Sequence, residues 1–189
     1  MKKKVKIVIL ASACIMMLPA MFILPFFAGP DNSIIRNTLS DLGAQNTAGA
    51  WIINSIFVVL AFSSVISVWG CFRGFAFQRV ILVLFGISIV LSAFFNHAPA
   101  NSAVPYNIRE DGWHQYFACI TWIIFAILAF STALIFKKQT DRSLALFAGI
   151  SVLLLTFLSS ESGQTAGIWQ RLQFIISFGW LIYTLKTID

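Results

Sequence analysis

Residues 49–71 of the chain read GAWIINSIFVVLAFSSVISVWGC, a stretch without a single charged side chain. A helix needs about 20 mostly apolar residues to cross the hydrocarbon core of a bilayer. Because that core offers no water to the backbone, each amide must be bonded within its own segment, and an uncharged stretch of this length predicts a helix. The fold class predicted from it is an all-α membrane protein.

Five more apolar segments of comparable length lie along the chain, at about residues 5–28, 79–96, 114–136, 143–160 and 166–185. Of the 189 residues, 59% are hydrophobic and 11% are charged, against roughly a quarter charged in a soluble domain. We therefore predict one domain over residues 1–189, a bundle of six transmembrane helices. The first segment could instead be a secretory signal with a lipoprotein-like end at Cys14, but its apolar length favours a retained helix.

The basic residues indicate the orientation. Cytoplasmic loops carry an excess of Lys and Arg, and an inward N-terminus places ten of the thirteen basic residues in inner connections. We therefore predict that both termini are cytoplasmic and that the protein lies in the cell membrane. The net charge of +6 comes from short loops rather than from a basic helix or strand, which argues against nucleic acid as a partner. The inner basic residues are Lys2, Lys3, Lys4, Lys6, Arg73, Arg79, Lys137, Lys138, Arg142 and Lys186.

The first predicted outer connection is longer than the inner ones and chemically mixed. A short interfacial helix is predicted over about 32–42, with its start in the sequence Pro30-Asp31-Asn32-Ser33. Gly43 is a natural end for this helix because glycine is common just after the last helical turn.

The two histidines lie at the predicted outer ends of helices three and four. Residues 98–108 between them are irregular because of two prolines, and Asp111 is expected to cap the fourth helix with His114 in its first turn. His97, His114 and Asp41 share one predicted depth and match the ligand count of a catalytic zinc site. They are therefore candidates to bind a divalent metal such as zinc, or to act in acid–base catalysis. The alternative is that each histidine caps a helix or forms an ordinary hydrogen bond.

Arg171 lies about one turn inside the sixth apolar segment, where a charged group is costly and faces protein or water. In a structural interpretation, Arg171 pairs with Glu161 or Asp41 and locks helices five and six. In a functional interpretation, its guanidinium binds a phosphate or carboxylate headgroup in bidentate fashion. Ser40, next to Asp41, is a candidate nucleophile or ligand-binding residue, although a hydroxyl before Gly43 also suits a cap or a turn.

A short internal similarity links Gln78-Arg79 to Gln170-Arg171, 92 positions later. Three predicted helices separate the two pairs, so a true duplication would be an inverted repeat of the kind found in transporters. Chance similarity in a chain rich in glycine and aromatic residues is the other explanation.

Three segments together resemble a known family: Asn37-Thr38-Leu39-Ser40-Asp41-Leu42-Gly43, the stretch from Phe94-Phe95-Asn96-His97 to His114, and Gly167-Ile168-Trp169-Gln170-Arg171. They look like the bacterial and archaeal membrane proteins of domain-of-unknown-function family 998, which is similar in outline to the eukaryotic FRAG/DRAM six-helix group. The resemblance implies a six-helix fold with an outward polar site. It points to Ser40, Asp41, Gly43, His114 and Arg171.

The chain departs from that family pattern at two places. Asn96-His97 stands where members often have Phe-Pro, and Gln170 stands where an acidic residue often precedes the arginine. The second departure removes an adjacent partner for Arg171, which makes Glu161 or Asp41 more important in the ion pair expected above.

Three classes of function follow from these features. The leading hypothesis is an integral membrane protein that binds or handles a membrane lipid or amphipathic ligand in an outward-facing polar pocket, with Ser40, Glu161 and Arg171 at the headgroup. The first alternative is an intramembrane metal-dependent or acid–base lipid hydrolase or transferase that uses the three candidate zinc residues. The second is a small transporter or channel component. A homo-oligomer or a membrane partner protein would be compatible with each.

Overall fold

The computed structural model describes residues 2–28, 32–101 and 103–188. Helices are the only regular secondary structure in these ranges, and 3-10 turns at Leu24–Phe27 and Trp69–Phe72 extend the first and third helices. The α-helices are α1 (Lys3–Phe22), α2 (Leu39–Leu42), α3 (Ala50–Val68), α4 (Ala76–Phe94), α5 (Ile108–Ile135), α6 (Gln139–Glu161) and α7 (Ala166–Thr187).

Five of these helices are long and apolar enough to cross a membrane by length and composition: α1, α3 with its 3-10 extension, α4, α5 and α6. Large apolar side chains such as Phe147 and Leu134 are exposed on the outside of the bundle. Such a surface is compatible with lipid and not with water. The chain is therefore a multi-pass membrane protein. Helix α7 has 22 residues, but polar residues in its first half lower its hydropathy.

Helices that are consecutive among the six long ones pack against each other, and α7 returns to contact α1. The centre is filled by aromatic rings. Phe57 stacks on Phe174 with 5.3 Å between ring centroids, and Phe85 lies 5.5 Å from Phe125. The ends of α1, α4 and α6 and the starts of α3, α5 and α7 thus lie at the end of the bundle opposite the chain termini. We call this end the far end.

Helix α1 ends at Phe22, earlier than the predicted limit at residue 28. Pro25 has no backbone N–H, so the carbonyl of Met21 cannot receive the bond that would continue the helix. The chain proceeds instead as the 3-10 turn Leu24–Phe27.

The interfacial helix predicted over 32–42 is wrong for most of its length, because only Leu39–Leu42 is α-helical. Its start is fixed by a capping box, in which the Thr38 amide donates to Asp41 Oδ2 (2.7 Å) and the Asp41 amide donates to Thr38 Oγ1 (3.2 Å). Its predicted end at Gly43 is confirmed. The part of this prediction that involves Pro30 and Asp31 lies outside the described residues.

Helix α5 begins at Ile108 rather than near residue 114, and Asn107 caps it by accepting from the amides of Arg109 and Glu110. The predicted cap at Asp111 is therefore wrong, and His114 lies in the second turn. Helix α6 likewise begins at Gln139 rather than near 143. Acidic residues in both first turns favour these earlier starts because they complement the helix dipole.

Candidate functional site

At the far end, the first turn of α7 binds the backbone of the connection between α1 and α3. The amides of Gly167 and Ile168 donate to the carbonyls of Arg36 and Ile35, each over 3.2 Å. The first amides of any helix lack partners within the helix. Backbone carbonyls from residues 35 and 36 take that role here, which ties the connection to the bundle.

Gln170 continues this contact one turn further along α7. Its Oε1 accepts from the Leu39 amide, and its Nε2 donates to Ser40 Oγ over 3.4 Å. The Gln170 amide thus accepts one hydrogen bond and donates another, whereas a carboxylate could only accept. Ser40 is buried and lies in this contact, with Gln170 as its side-chain partner.

Arg171 is 3% exposed and binds backbone carbonyls. Its Nη1 donates to the carbonyls of Ile34 (2.9 Å), Asn37 (2.8 Å) and Gly167 (2.8 Å). Residue 167 must be small here, because a Cβ at this position would collide with the Ile34 and Asn37 carbonyl oxygens. The guanidinium therefore holds the 34–40 segment against α7.

The remaining hydrogen bond of Arg171 is donated to a backbone carbonyl at the end of α1. Its Nε donates to the Met21 carbonyl over 2.8 Å, the carbonyl that Pro25 leaves without a helical partner. The expected pairing with Glu161 is not formed, since Glu161 is exposed at the end of α6. Among the described residues, no carboxylate oxygen forms an ion pair with Arg171 within 4.0 Å, and its Nη2 is buried without a hydrogen-bond partner.

His97 lies between two carboxylates. Its Nδ1 is 2.7 Å from Asp111 Oδ1, and its Nε2 is 3.6 Å from Asp41 Oδ1. Asp111 is itself held by the Ala98 amide and by the Gln115 side chain, each at 2.8 Å. Because Asp111 accepts, Nδ1 carries the proton of a neutral His97, and the Nε2 lone pair faces Asp41.

His114 is 4% exposed and acts as a cap for α4. Its Nδ1 donates to the carbonyls of Ser92 (2.7 Å) and Phe95 (2.8 Å), which lie at the end of that helix. Its ring centroid is 5.1 Å from that of His97. The two histidines and Asp41 thus lie close together, and the capping alternative fits His114.

The zinc interpretation gains no support from this geometry. Within the described ranges, no group of three His, Cys, Asp or Glu side chains is arranged to hold a metal ion. Metal binding by His97, His114 and Asp41 stays a prediction.

A further set of polar side chains joins the loops of the far end, and the sequence interpretation did not identify it as a unit. Gln45 is buried and bonds the Asn107 amide through Oε1 (2.7 Å) and two carbonyls, those of Asn96 and Asn107, through Nε2. Asn54 donates to Asn96 Oδ1 (2.7 Å) and to the Gly43 carbonyl (3.1 Å). Asn54 on α3 thus binds residues that follow the ends of α2 and α4. Nothing in the local sequence marks Gln45, because its partners are backbone groups distant along the chain.

A cavity of about 270 Å³ opens at the far end beside this network. The connection between α1 and α3, which includes α2, and the connection between α4 and α5 form its wall. Asp41 is the one charged residue among the described residues of the wall, and Arg171 does not line it. Its wall includes Leu24, Phe27, Asp41, Thr47, Ala100 and Asn101.

Ser40 lines a different and much smaller space of about 20 Å³, together with Ser92, Thr121 and Gln170. That volume is enough for a single water molecule. The arrangement shows no base next to the Ser40 hydroxyl, whose side-chain partner is Gln170.

The two pairs of the internal similarity make different contacts. Gln78 donates to the Ser131 carbonyl (3.2 Å), and the guanidinium carbon of Arg79 lies 4.9 Å from the centre of the Trp69 ring. Gln170 and Arg171 instead bind the 34–40 segment. The two Gln-Arg pairs therefore make no equivalent contacts among the described residues, and an inverted repeat stays a prediction.

Searches among curated proteins and among solved structures found no match to the chain. A family model does match, and it covers residues 11–185. This range includes the 34–40 segment, both histidines and the start of α7. The chain belongs to the family described as protein of unknown function, DUF998.

Proposed function

We propose that this is a six-span protein of the cell membrane, with both termini in the cytoplasm, whose far-end cavity faces outward and holds the polar part of a membrane lipid or another amphipathic ligand. Helix α7 is the sixth span in this proposal. Its polar residues Arg171 and Gln173 are 3% and 1% exposed, so they face protein rather than lipid. The excess of basic residues at the other end supports the orientation.

The observation that carries the proposal is the cavity with Asp41 in its wall. Its volume of about 270 Å³ lies near the lower end of the range for ligand sites, a size that suits a headgroup rather than a whole lipid. Phe27 lines the cavity and is largely exposed on its other side, as is Phe26. An apolar chain could leave the cavity along these rings while its polar end stays inside.

Lipid analysis of the purified protein tests this function. We expect a lipid or amphipath that co-purifies with the wild type and is lost when Ala100→Trp fills the cavity. Glu161→Gln is the control, because Glu161 is exposed and is not among the described residues of the cavity wall. Equal lipid content in wild type and Ala100→Trp would contradict the proposal.

Acid–base catalysis on the same ligand is a second candidate function, favoured by the contact between His97 and Asp111. A carboxylate that fixes Nδ1–H leaves Nε2 free to take a proton from a substrate or water. Purified protein incubated with membrane lipids should then yield a hydrolysed or transferred product that His97→Gln abolishes. Absence of product with wild-type protein would exclude this candidate and leave ligand binding in place.

A further inference from the structure

We propose that the ligand of the far-end cavity carries a cationic ammonium group, bound by Asp41. This inference rests on the proposed function and names the chemistry of its ligand. This ligand has the opposite charge to the anionic headgroup expected at Arg171. The donors of Arg171 that have partners bind backbone carbonyls, and the guanidinium does not line the cavity.

The charge of the cavity wall is the first argument. Among the described wall residues, Asp41 supplies the one full charge, and Thr47 and Asn101 add neutral polar groups. Two further carboxylates, Glu110 and Asp111, lie at the same end of the bundle outside the wall, and Glu110 accepts from the Asn96 amide (2.9 Å). Clustered carboxylates attract cations and repel anions. A largely buried negative charge with no cation among the described wall residues therefore favours a positive ligand.

The geometry of Asp41 is the second argument. Its Oδ2 is fixed by the Thr38 amide, so the carboxylate has a set direction before any ligand arrives. Its Oδ1 lies 3.6 Å from His97 Nε2, which is too long for a hydrogen bond.

With Nδ1–H given to Asp111, a neutral His97 presents a second acceptor at this point. A donor placed beside these two acceptors can bind both. A primary ammonium group has three N–H donors and suits this position.

The apolar part of the wall agrees with this assignment. Phe27 lines the cavity together with Leu24, and a ring face attracts a cation placed over it. An ammonium group at Asp41 with a hydrocarbon chain toward Phe27 would match both the charged part and the apolar part of the wall. The side chain of Asp41 is 15% exposed and lines the cavity.

The test is a titration of the purified full-length protein in maltoside micelles with hexylammonium, hexanoate and hexanol, followed by calorimetry with empty micelles as the blank. Hexylammonium should bind most tightly. Asp41→Asn should weaken it about tenfold to a hundredfold, the range for a charged hydrogen bond. Glu161→Gln is the matched control, because it removes one negative charge at an exposed residue outside the described cavity wall and should leave binding within about twofold of wild type.

Asn101→Lys covers the case in which Asp41→Asn does not fold. Asn101 is exposed, and a lysine there adds a cation to the wall while Asp41 stays in place. Hexylammonium binding should fall and hexanoate binding should rise.

The outcomes separate the two proposals. Equal or tighter binding of hexanoate or hexanol, blocked by Ala100→Trp, would overturn the ammonium assignment and keep the cavity as a ligand site. No binding of any of the three compounds would overturn both. Ethylammonium distinguishes the source of the cation: weaker binding than hexylammonium supports an amphipathic amine. Equal binding would keep the ammonium site but contradict the amphipathic ligand.

Discussion

At the scale of single residues, Arg171 shows how far a sequence can lead. Its depth in an apolar segment predicts an ion pair with a carboxylate or a bound headgroup, and in the structure Arg171 binds backbone carbonyls instead of a carboxylate. The partner could not be predicted, because backbone carbonyls have no sequence signature. The signal that could have found one of them is Pro25, which leaves the Met21 carbonyl without an amide.

Arg171→Lys should destabilise the protein, because an ammonium group cannot reproduce a planar fork that reaches four carbonyls. At ~0.6 kcal/mol for a hydrogen bond within a membrane protein, the loss is about 2 kcal/mol. Denaturant titration of the folded protein in micelles measures it. The exposed Arg109→Lys serves as control, and an equal stability of the two variants would show that the carbonyl bonds contribute little.

Pro25→Ala should reduce the loss of stability caused by Arg171→Met. The new amide at residue 25 can donate to the Met21 carbonyl, so Arg171→Met would leave one fewer carbonyl unpaired. A double-mutant cycle should therefore give a coupling of about 0.5–1 kcal/mol between the two positions. Additive effects would mean that Arg171 does not act through Met21.

At the scale of elements, the apolar segments predict the six long helices because length and hydrophobicity decide a helix in lipid. Charged first turns were missed at α5 and α6, since they extend the helices beyond the apolar stretch. The interfacial helix failed for another reason. Its residues are held by α7 through contacts more than 100 positions apart in the sequence, and such contacts override local helical preference.

Gly167→Ala should destabilise the contact between α7 and the 34–40 segment, although alanine is the better helix former. A Cβ at this position meets the carbonyl oxygens of Asn37 and Ile34, whereas a Cβ at Gly112 meets nothing within 4 Å. Gly112→Ala is therefore the matched control and should stabilise α5 by up to about 1 kcal/mol. Thermal unfolding of both variants measures the difference, and equal stabilisation would contradict the tight approach.

At the scale of the whole molecule, the chain is a multi-pass helical bundle with both histidines at the far end. The prediction that Asp41, His97 and His114 lie together at this end is met by the structure, with Asp111 as an added partner. Glu161 does not join them, and Arg171 belongs to the 34–40 contact. The cavity itself could not be predicted, because its wall comes from two connections that are held together by Gln45 and other long-range bonds.

Labelling of single cysteines in intact cells tests the outward-facing ligand cavity most directly, in a variant from which Cys14, Cys71 and Cys119 have been removed. Ala100→Cys places a thiol in the cavity wall, and Ser160→Cys and Thr140→Cys mark the two ends of α6. A membrane-impermeant maleimide should label residues 100 and 160 but not 140, and hexylammonium should slow labelling at residue 100 alone. Labelling of residue 140 instead, or no protection of residue 100, would contradict the account.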